Sequence, residues 1–115
     1  EKAIAQATQA FEYELQLPAA IDPSRLISMD NCIKDFRNAP SFNIPKVSKE
    51  KTVIRDIRPF VHHLTLDNTD KKIRFIISHI QQGSARPADI ITHILKSDAD
   101  ESHRIRVVKT KTILA

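Results

Sequence analysis

Between Phe11 and Leu17 apolar and polar residues alternate, with Phe11, Tyr13, Leu15 and Leu17 set against Glu12, Glu14 and Gln16. A period of two describes a strand with one buried face and one wet face, and Pro18 closes it. The period then lengthens. Leu26, Met29, Ile33 and Phe36 recur at intervals of three and four, the stripe of a helix lying on a core. Asp22 and Pro23 start this helix with a side-chain acceptor and a residue that has no N–H to satisfy, and Asn38, Ala39 and Pro40 end it. Residues 42–66 are rich in Val, Ile, Thr and Phe and read as extended, with the polar run Ser48 to Lys51 as a turn. Pro45 and Pro59 each remove a ladder donor, which places this material at a sheet edge or a bulge. Asp67 to Asp70 is a turn. Residues 72–80 form the next strand, with Ile73, Phe75 and Ile77 on one face and enough apolar character to be central. A helix opening at Pro87 presents Ile90, Ile91, Ile94 and Leu95. The acidic run 97–102, SDADES, reads as a turn, and 103–113 as a last strand.

This order is strand, helix, strand or hairpin, strand, helix, strand. Helices on one face of an antiparallel sheet are the natural packing for it, so the expected class is α+β, and the simplest member is a ferredoxin-like βαββαβ sandwich. Its spatial order is fourth, first, third, second strand. The expected core joins the stripe of the first helix to Phe11, Tyr13, Leu15, Ile73, Phe75, Ile90 and Ile94. Residues 1–10, alanine-rich with only Ile4 as a large anchor, read as a connector or frayed helix, which leaves 11–115 as a single α+β domain. The chain opens on Glu1 rather than methionine and is read as a piece of something longer.

The one glycine, Gly83, stands in GSARPADIITHIL (83–95), before an arginine, a proline and a helix. A phosphate loop needs several converging backbone N–H groups, usually from several glycines or a GxxxxGK[ST] run, and neither is present. Pro87 suits the first helical turn, and Asp89 in that turn complements the helix dipole while disfavouring an anion. The segment is therefore read as a helix entrance, with Arg86 keeping functional interest beside it.

Composition narrows the classes further. At 115 residues, 41% hydrophobic and 28% charged, the chain suits one domain with one core, and no apolar run approaches the roughly 18–20 residues of a membrane span. One cysteine, Cys32, forms no internal disulfide or cysteine cluster, which fits a cytoplasmic location; beside the helical stripe it reads as a small buried hydrophobe. Of the five histidines, His62 and His63 are adjacent in an expected strand and so point to opposite faces, and no ligand spacing surrounds His79 or His93. No metal, cofactor or catalytic set is expected, and the chain reads as without catalytic activity of its own.

The cations carry more. Lys46, Lys49, Lys51, Arg55 and Arg58 lie close together against Glu50 and Asp56, and Arg104, Arg106, Lys109 and Lys111 run without an acid. In the ferredoxin-like order the two clusters would line opposite sheet edges. Cations there either guard edge strands against sheet-to-sheet association or contact nucleic-acid backbone. Base stacking on the open face is not expected, because its central positions are Glu12, Glu14, Gln16, Arg74, Ile76 and Ser78 rather than aromatics.

The segments KTVIRDIRPFV (51–61) and GSARPADIITHIL (83–95), with the basic strand HRIRVVKTKTIL (103–114), the opening FEYELQLP (11–18) and IPKVSKEK (44–51), resemble the second half of the radical-SAM-linked protein family. This is a bacterial domain of unknown function encoded beside or fused to radical-SAM enzymes. Asp56, Arg58, Pro59, Arg86, Pro87 and Asp89 occupy the motif-like positions. The aromatic, glycine and histidine-rich N-terminal half of such proteins has no counterpart here, nor does the three-cysteine cluster motif. The resemblance thus implies an accessory C-terminal portion with a radical-SAM enzyme or domain as its partner, which modifies RNA or protein; together with the two basic clusters it makes RNA the expected substrate. The candidate anion-binding residues, from the two basic clusters and the helix entrance, are Lys46, Lys49, Lys51, Arg55, Arg58, Arg86, Arg104, Arg106, Lys109 and Lys111. The competing expectation is a protein–protein docking module with no nucleic-acid contact.

Overall fold

The opening alternation becomes strand β1 (Gln9–Gln16) in a computed structural model that describes residues 9–47, 50–79 and 85–114. β1 therefore takes in Gln9 and Ala10, two residues ahead of the expected start, while residues 1–8 of the expected connector lie outside the described residues. It is flanked by β5 (Lys72–His79) and β6 (Arg106–Leu114), both antiparallel to it, and β4 (Val61–Asp67) pairs on the far side of β5. The sheet order is β4-β5-β1-β6. Register follows burial: Leu15 faces Ile73, Tyr13 faces Phe75 and Phe11 faces Ile77, which keeps all six side chains on the core side. Tyr13 and Phe75 stack at 5.6 Å.

Helix α1 (Pro23–Asn38) starts as its sequence dictates. Asp22 Oδ1 accepts from Ser24 N at 3.0 Å and from Ser24 Oγ at 2.9 Å, which satisfies one of the orphan donors of the first turn. Met29, Ile33 and Phe36 are buried, with Leu26 packed at their margin. They join Leu15, Ile73, Phe75, Ile77, Ile90, Ile94 and Leu95 in one core, which also takes Ile44, Ile57, Leu64 and Ile105. Phe11 and Tyr13 are only half-buried, and so is Cys32, against the expectation of burial.

The extended region 42–66 divides. β2 (Asn43–Val47) and β3 (Thr52–Asp56) form their own two-stranded ribbon, separate from the main sheet. A short 3-10 turn (Arg58–Phe60) then leads into β4. Pro45 sits in the ribbon, but Pro59 belongs to the 3-10 turn rather than to a strand. The second helix is α-helical only over α2 (Pro87–Asp89) and continues as a π-turn (Ile90–Ile94), with Leu95 N donating to Ile90 O at 2.9 Å. The acidic run is not a turn. It is helix α3 (Ala99–Arg104), capped by Asp98, whose Oδ1 accepts from Glu101 N at 2.8 Å. Asp100 and Glu101 in its first turn and His103 and Arg104 in its last suit the helix dipole, and the last strand accordingly begins at Arg106 rather than at 103.

The chain is thus α+β around a four-stranded antiparallel sheet. The added ribbon, the 3-10 turn and α3 exceed the elements of a plain βαββαβ order. No helix among the described residues is long and apolar enough to cross a membrane.

Candidate nucleic-acid interface

The expected basic clusters do not line opposite edges of one sheet. The cluster from Lys46 to Arg58 lies on the separate ribbon and its 3-10 turn, whereas β4 forms the edge opposite β6.

Within the first cluster the key cations are held by the fold. Arg58 donates from Nε to Ala39 O at 3.1 Å, from Nη2 to Arg37 O at 3.1 Å and from Nη1 to Val61 O at 3.4 Å, and its guanidinium lies 4.8 Å from the centre of the Phe36 ring. Its backbone N–H goes to Asp56 Oδ1 at 3.0 Å, which also accepts from Phe42 N at 2.7 Å. The Asp56–Arg58 motif therefore ties the end of α1 to the turn between β3 and β4. Lys46 pairs with Asp89 Oδ2, which also accepts from Arg86 N at 2.9 Å. One carboxylate thus fastens the ribbon to the start of α2. The guanidinium of Arg86 is exposed and makes no bond or ion pair among the described residues. Lys51 and Arg55 are exposed on β3 and the loop before it, each with an interaction of its own, and Lys49 lies outside the described residues.

The second cluster is different. β6 has β1 on one side and no strand on the other among the described residues. Arg106 stands opposite Gln16, Lys109 opposite Tyr13 and Lys111 opposite Glu12, with a bulge between Glu12 and Tyr13 that leaves Thr110 as the extra residue. Directly opposed residues share a face, so Arg106 and Lys111 project with the glutamates and Lys109 with the core-side aromatics. All three are exposed, and none is in an ion pair among the described residues. Lys109 Nζ lies 3.8 Å above the centre of the Phe11 ring, a cation–π contact that leaves the outer side of the ammonium in solvent. Thr110 Oγ1 donates to Glu12 Oε1 at 2.9 Å. Arg104, at the end of α3, is paired with Asp100 at 3.2 Å.

The open face of the sheet next to β6 is already neutralised. Glu14 meets Arg74 at 3.4 Å and Lys72 at 3.6 Å, and Arg74 reaches Asp67 at 3.8 Å. A hydrogen bond from Gln16, with the nearby Lys72 and Arg74, holds the Glu14 carboxyl below its usual range. Ser78 on this face is fully buried, with its Oγ 3.0 Å from His62 Nε2, and Ile76 is half-buried. Away from β6, this face offers neither aromatic platforms nor unpaired cations among the described residues.

Two clefts border these surfaces. One, of about 280 Å³, is lined by Asp22, Arg25, Asp98, Asp100, Glu101 and Arg104 among others. Its charges are matched: Arg25 Nη2 binds Glu101 Oε1 at 2.6 Å and Leu95 O at 2.7 Å, while Asp22 and Asp98 cap their helices. The Arg25 hydrogen bonds depress the Glu101 carboxyl, and the pair raises Arg25 in turn. The second, of about 170 Å³, brings together Arg37, Arg58, His62 and His63. Sequence reasoning missed it because Arg37 and His63 belong to elements far apart in the chain. No group of three or more His, Cys, Asp or Glu able to hold a metal ion occurs among the described residues.

No family model, no curated protein and no solved structure matches this chain.

Proposed function

We propose that the chain is a non-catalytic accessory module that engages the phosphate backbone of RNA along its β6 edge for a partner enzyme. The observation that carries this reading is the row Arg106, Lys109 and Lys111, exposed on an edge strand with no acid between Arg104 and Leu114. Contacts along a phosphate backbone need a row of exposed cations, and β6 supplies three, whereas Lys46 is bound to Asp89 and Arg58 is held within a cleft by backbone carbonyls. The radical-SAM partner enters through the sequence resemblance alone, and the cytoplasm as the place of action through the lone Cys32. The same reading takes the four-stranded sheet as a ferredoxin-like core to which the β2–β3 ribbon is an addition; its support is the central β1 flanked by antiparallel β5 and β6.

The test is the affinity of the chain for a short single-stranded RNA as a function of salt. Each phosphate contact contributes about −0.7 to the slope of log affinity against log salt on a single strand, so three cations give about −2. A second reading has its own observation: among the described residues β6 is paired on one side only, and Val107 on it is 44% exposed. A strand from a protein partner could add to that edge through main-chain hydrogen bonds. Binding of that kind is nearly insensitive to salt, and the titration separates the two.

A further inference from the structure

On the edge of the sheet opposite β6, Arg37, Arg58 and His63 border the cleft of about 170 Å³, with Phe36, Val61 and Leu64 as its apolar lining. His62 also borders it, with Nε2 engaged by Ser78 Oγ. No carboxylate is among its described lining residues. We propose that this cleft binds one tetrahedral phosphate group, carried by inorganic phosphate or by a small phosphomonoester.

The case begins with Arg58. Nε, one Nη1 hydrogen and one Nη2 hydrogen go to the carbonyls of Ala39, Val61 and Arg37. The second hydrogen on each Nη has no partner among the described residues, because a guanidinium carries two on each terminal nitrogen. Phe36 beneath the plane and the carbonyls around it fix the fork in place, so little ordering is needed when an oxyanion arrives. The carbonyls of Arg37 and Ala39 belong to the end of α1, where the helix dipole is negative. Arg58 neutralises that end, which would otherwise repel an anion.

His63 is the second part. It is exposed and held at φ 55° where the pairing of β4 with β5 slips between His62 and Thr65. A side chain with a Cβ is disfavoured in that region, and bulges of this kind re-aim side chains beside functional sites. Here the bulge brings the imidazole to the cleft, where its ring N–H is a donor in either tautomer. Arg37, exposed at the last turn of α1, adds a further charge. Size sets the ligand class. At about 30 Å³ of liquid volume per water, the cleft holds one oxyanion and a few waters, well short of the roughly 300 Å³ at which pockets for whole small molecules begin.

The experiment titrates inorganic phosphate and, separately, glycerol 3-phosphate into the full chain at constant ionic strength, following the His63 imidazole and the Arg58 side chain by NMR. Saturable shifts confined to these groups are expected. His63→Gly removes the imidazole and places at φ 55° a residue that accepts it, so its melting temperature should not fall while phosphate affinity drops about tenfold. Arg37→Ala should weaken binding in the same direction without touching the Arg58 anchor. Lys109→Glu/Lys111→Glu should leave phosphate binding intact, which separates this site from the RNA-binding edge. Tighter binding of glycerol 3-phosphate assigns the cleft to phosphomonoesters, tighter binding of inorganic phosphate to the free ion, and either upholds the proposal. A His63→Gly variant that binds phosphate as well as the parent chain overturns it, as do non-saturating shifts spread over β6.

Discussion

The β2–β3 ribbon with its 3-10 turn and the β6 edge both carry clusters of lysine and arginine, and they differ in what those side chains touch. In the ribbon, Lys46 is fixed to Asp89 and Arg58 to three carbonyls and the face of Phe36. On β6, Arg106, Lys109 and Lys111 keep their charges in solvent. A cation already satisfied by protein acceptors holds loops and helix ends together, and removing it leaves partly buried carbonyls without donors. A cation in solvent contributes little to folding but can release counterions from a polyanion. Charge density along the sequence does not distinguish these cases; the acceptors do.

The largest effect that sharpens this contrast is expected at the aromatic partner of Arg58. Phe36 is 1% exposed and also meets Phe42 edge-on at 5.1 Å, so Phe36→Ala should cost about 3–5 kcal/mol in urea unfolding. Arg58→Ala comes next. It strips donors from the carbonyls of Arg37, Ala39 and Val61 and should cost about 2–3 kcal/mol, and Arg58→Lys should not restore it, since an ammonium cannot reproduce the planar fork. Equal stability of Arg58→Ala and the parent chain would break the comparison from the ribbon side.

Acid should loosen the carboxylate-held contacts together. Arg25 lowers Glu101, Gln16 lowers Glu14, and the backbone N–H groups of Ser24 and Asp70 lower Asp22 and Asp67. A folded-state value below the unfolded one gives stability that is present above the ordinary carboxylate range and is lost as pH falls through the depressed values. The urea midpoint should therefore hold between neutrality and about pH 5 and decline below about pH 4. Glu101→Gln should lower the plateau and flatten the decline. A midpoint that rises on acidification would contradict these assignments.

Smaller still is Lys96, which stands at φ 58° after the π-turn, with Ser97 N donating to Ile91 O across it. Glycine is the usual residue there, and Lys96→Gly should stabilise by up to about 1 kcal/mol. Arg106→Ala, with no partner to lose among the described residues, should change stability by less than about 0.5 kcal/mol.

What the sequence disclosed depended on whether period or capping recorded it. The alternation from Phe11, the stripe through Met29, Ile33 and Phe36, and the Asp22–Pro23 start all encode local geometry, and each is found in place. Helix α3 reads as a turn in the sequence because six residues are too few to show an apolar period, although Asp98 and the acid-then-base order of ADESHR carry its caps. The π-turn and the bulge at His63 depend on tertiary packing and leave no mark in residue type. The same holds for the candidate sites. Cations could be counted from the sequence, but the acceptors of Arg58 are backbone carbonyls, which every residue has, and the convergence of Arg37 with His63 is made by the fold.

The account rests most directly on one comparison of RNA affinity across a salt series, for the parent chain, for Arg58→Ala and for Arg106→Ala/Lys109→Ala/Lys111→Ala. The parent slope of log affinity against log salt should be about −2, falling to near zero in the β6 triple variant while its melting temperature stays close to the parent value. Arg58→Ala should keep the parent slope wherever it remains folded. A triple variant that binds RNA with an unchanged slope, or an Arg58→Ala variant that is fully stable and loses RNA, would contradict the division of labour between the two basic segments.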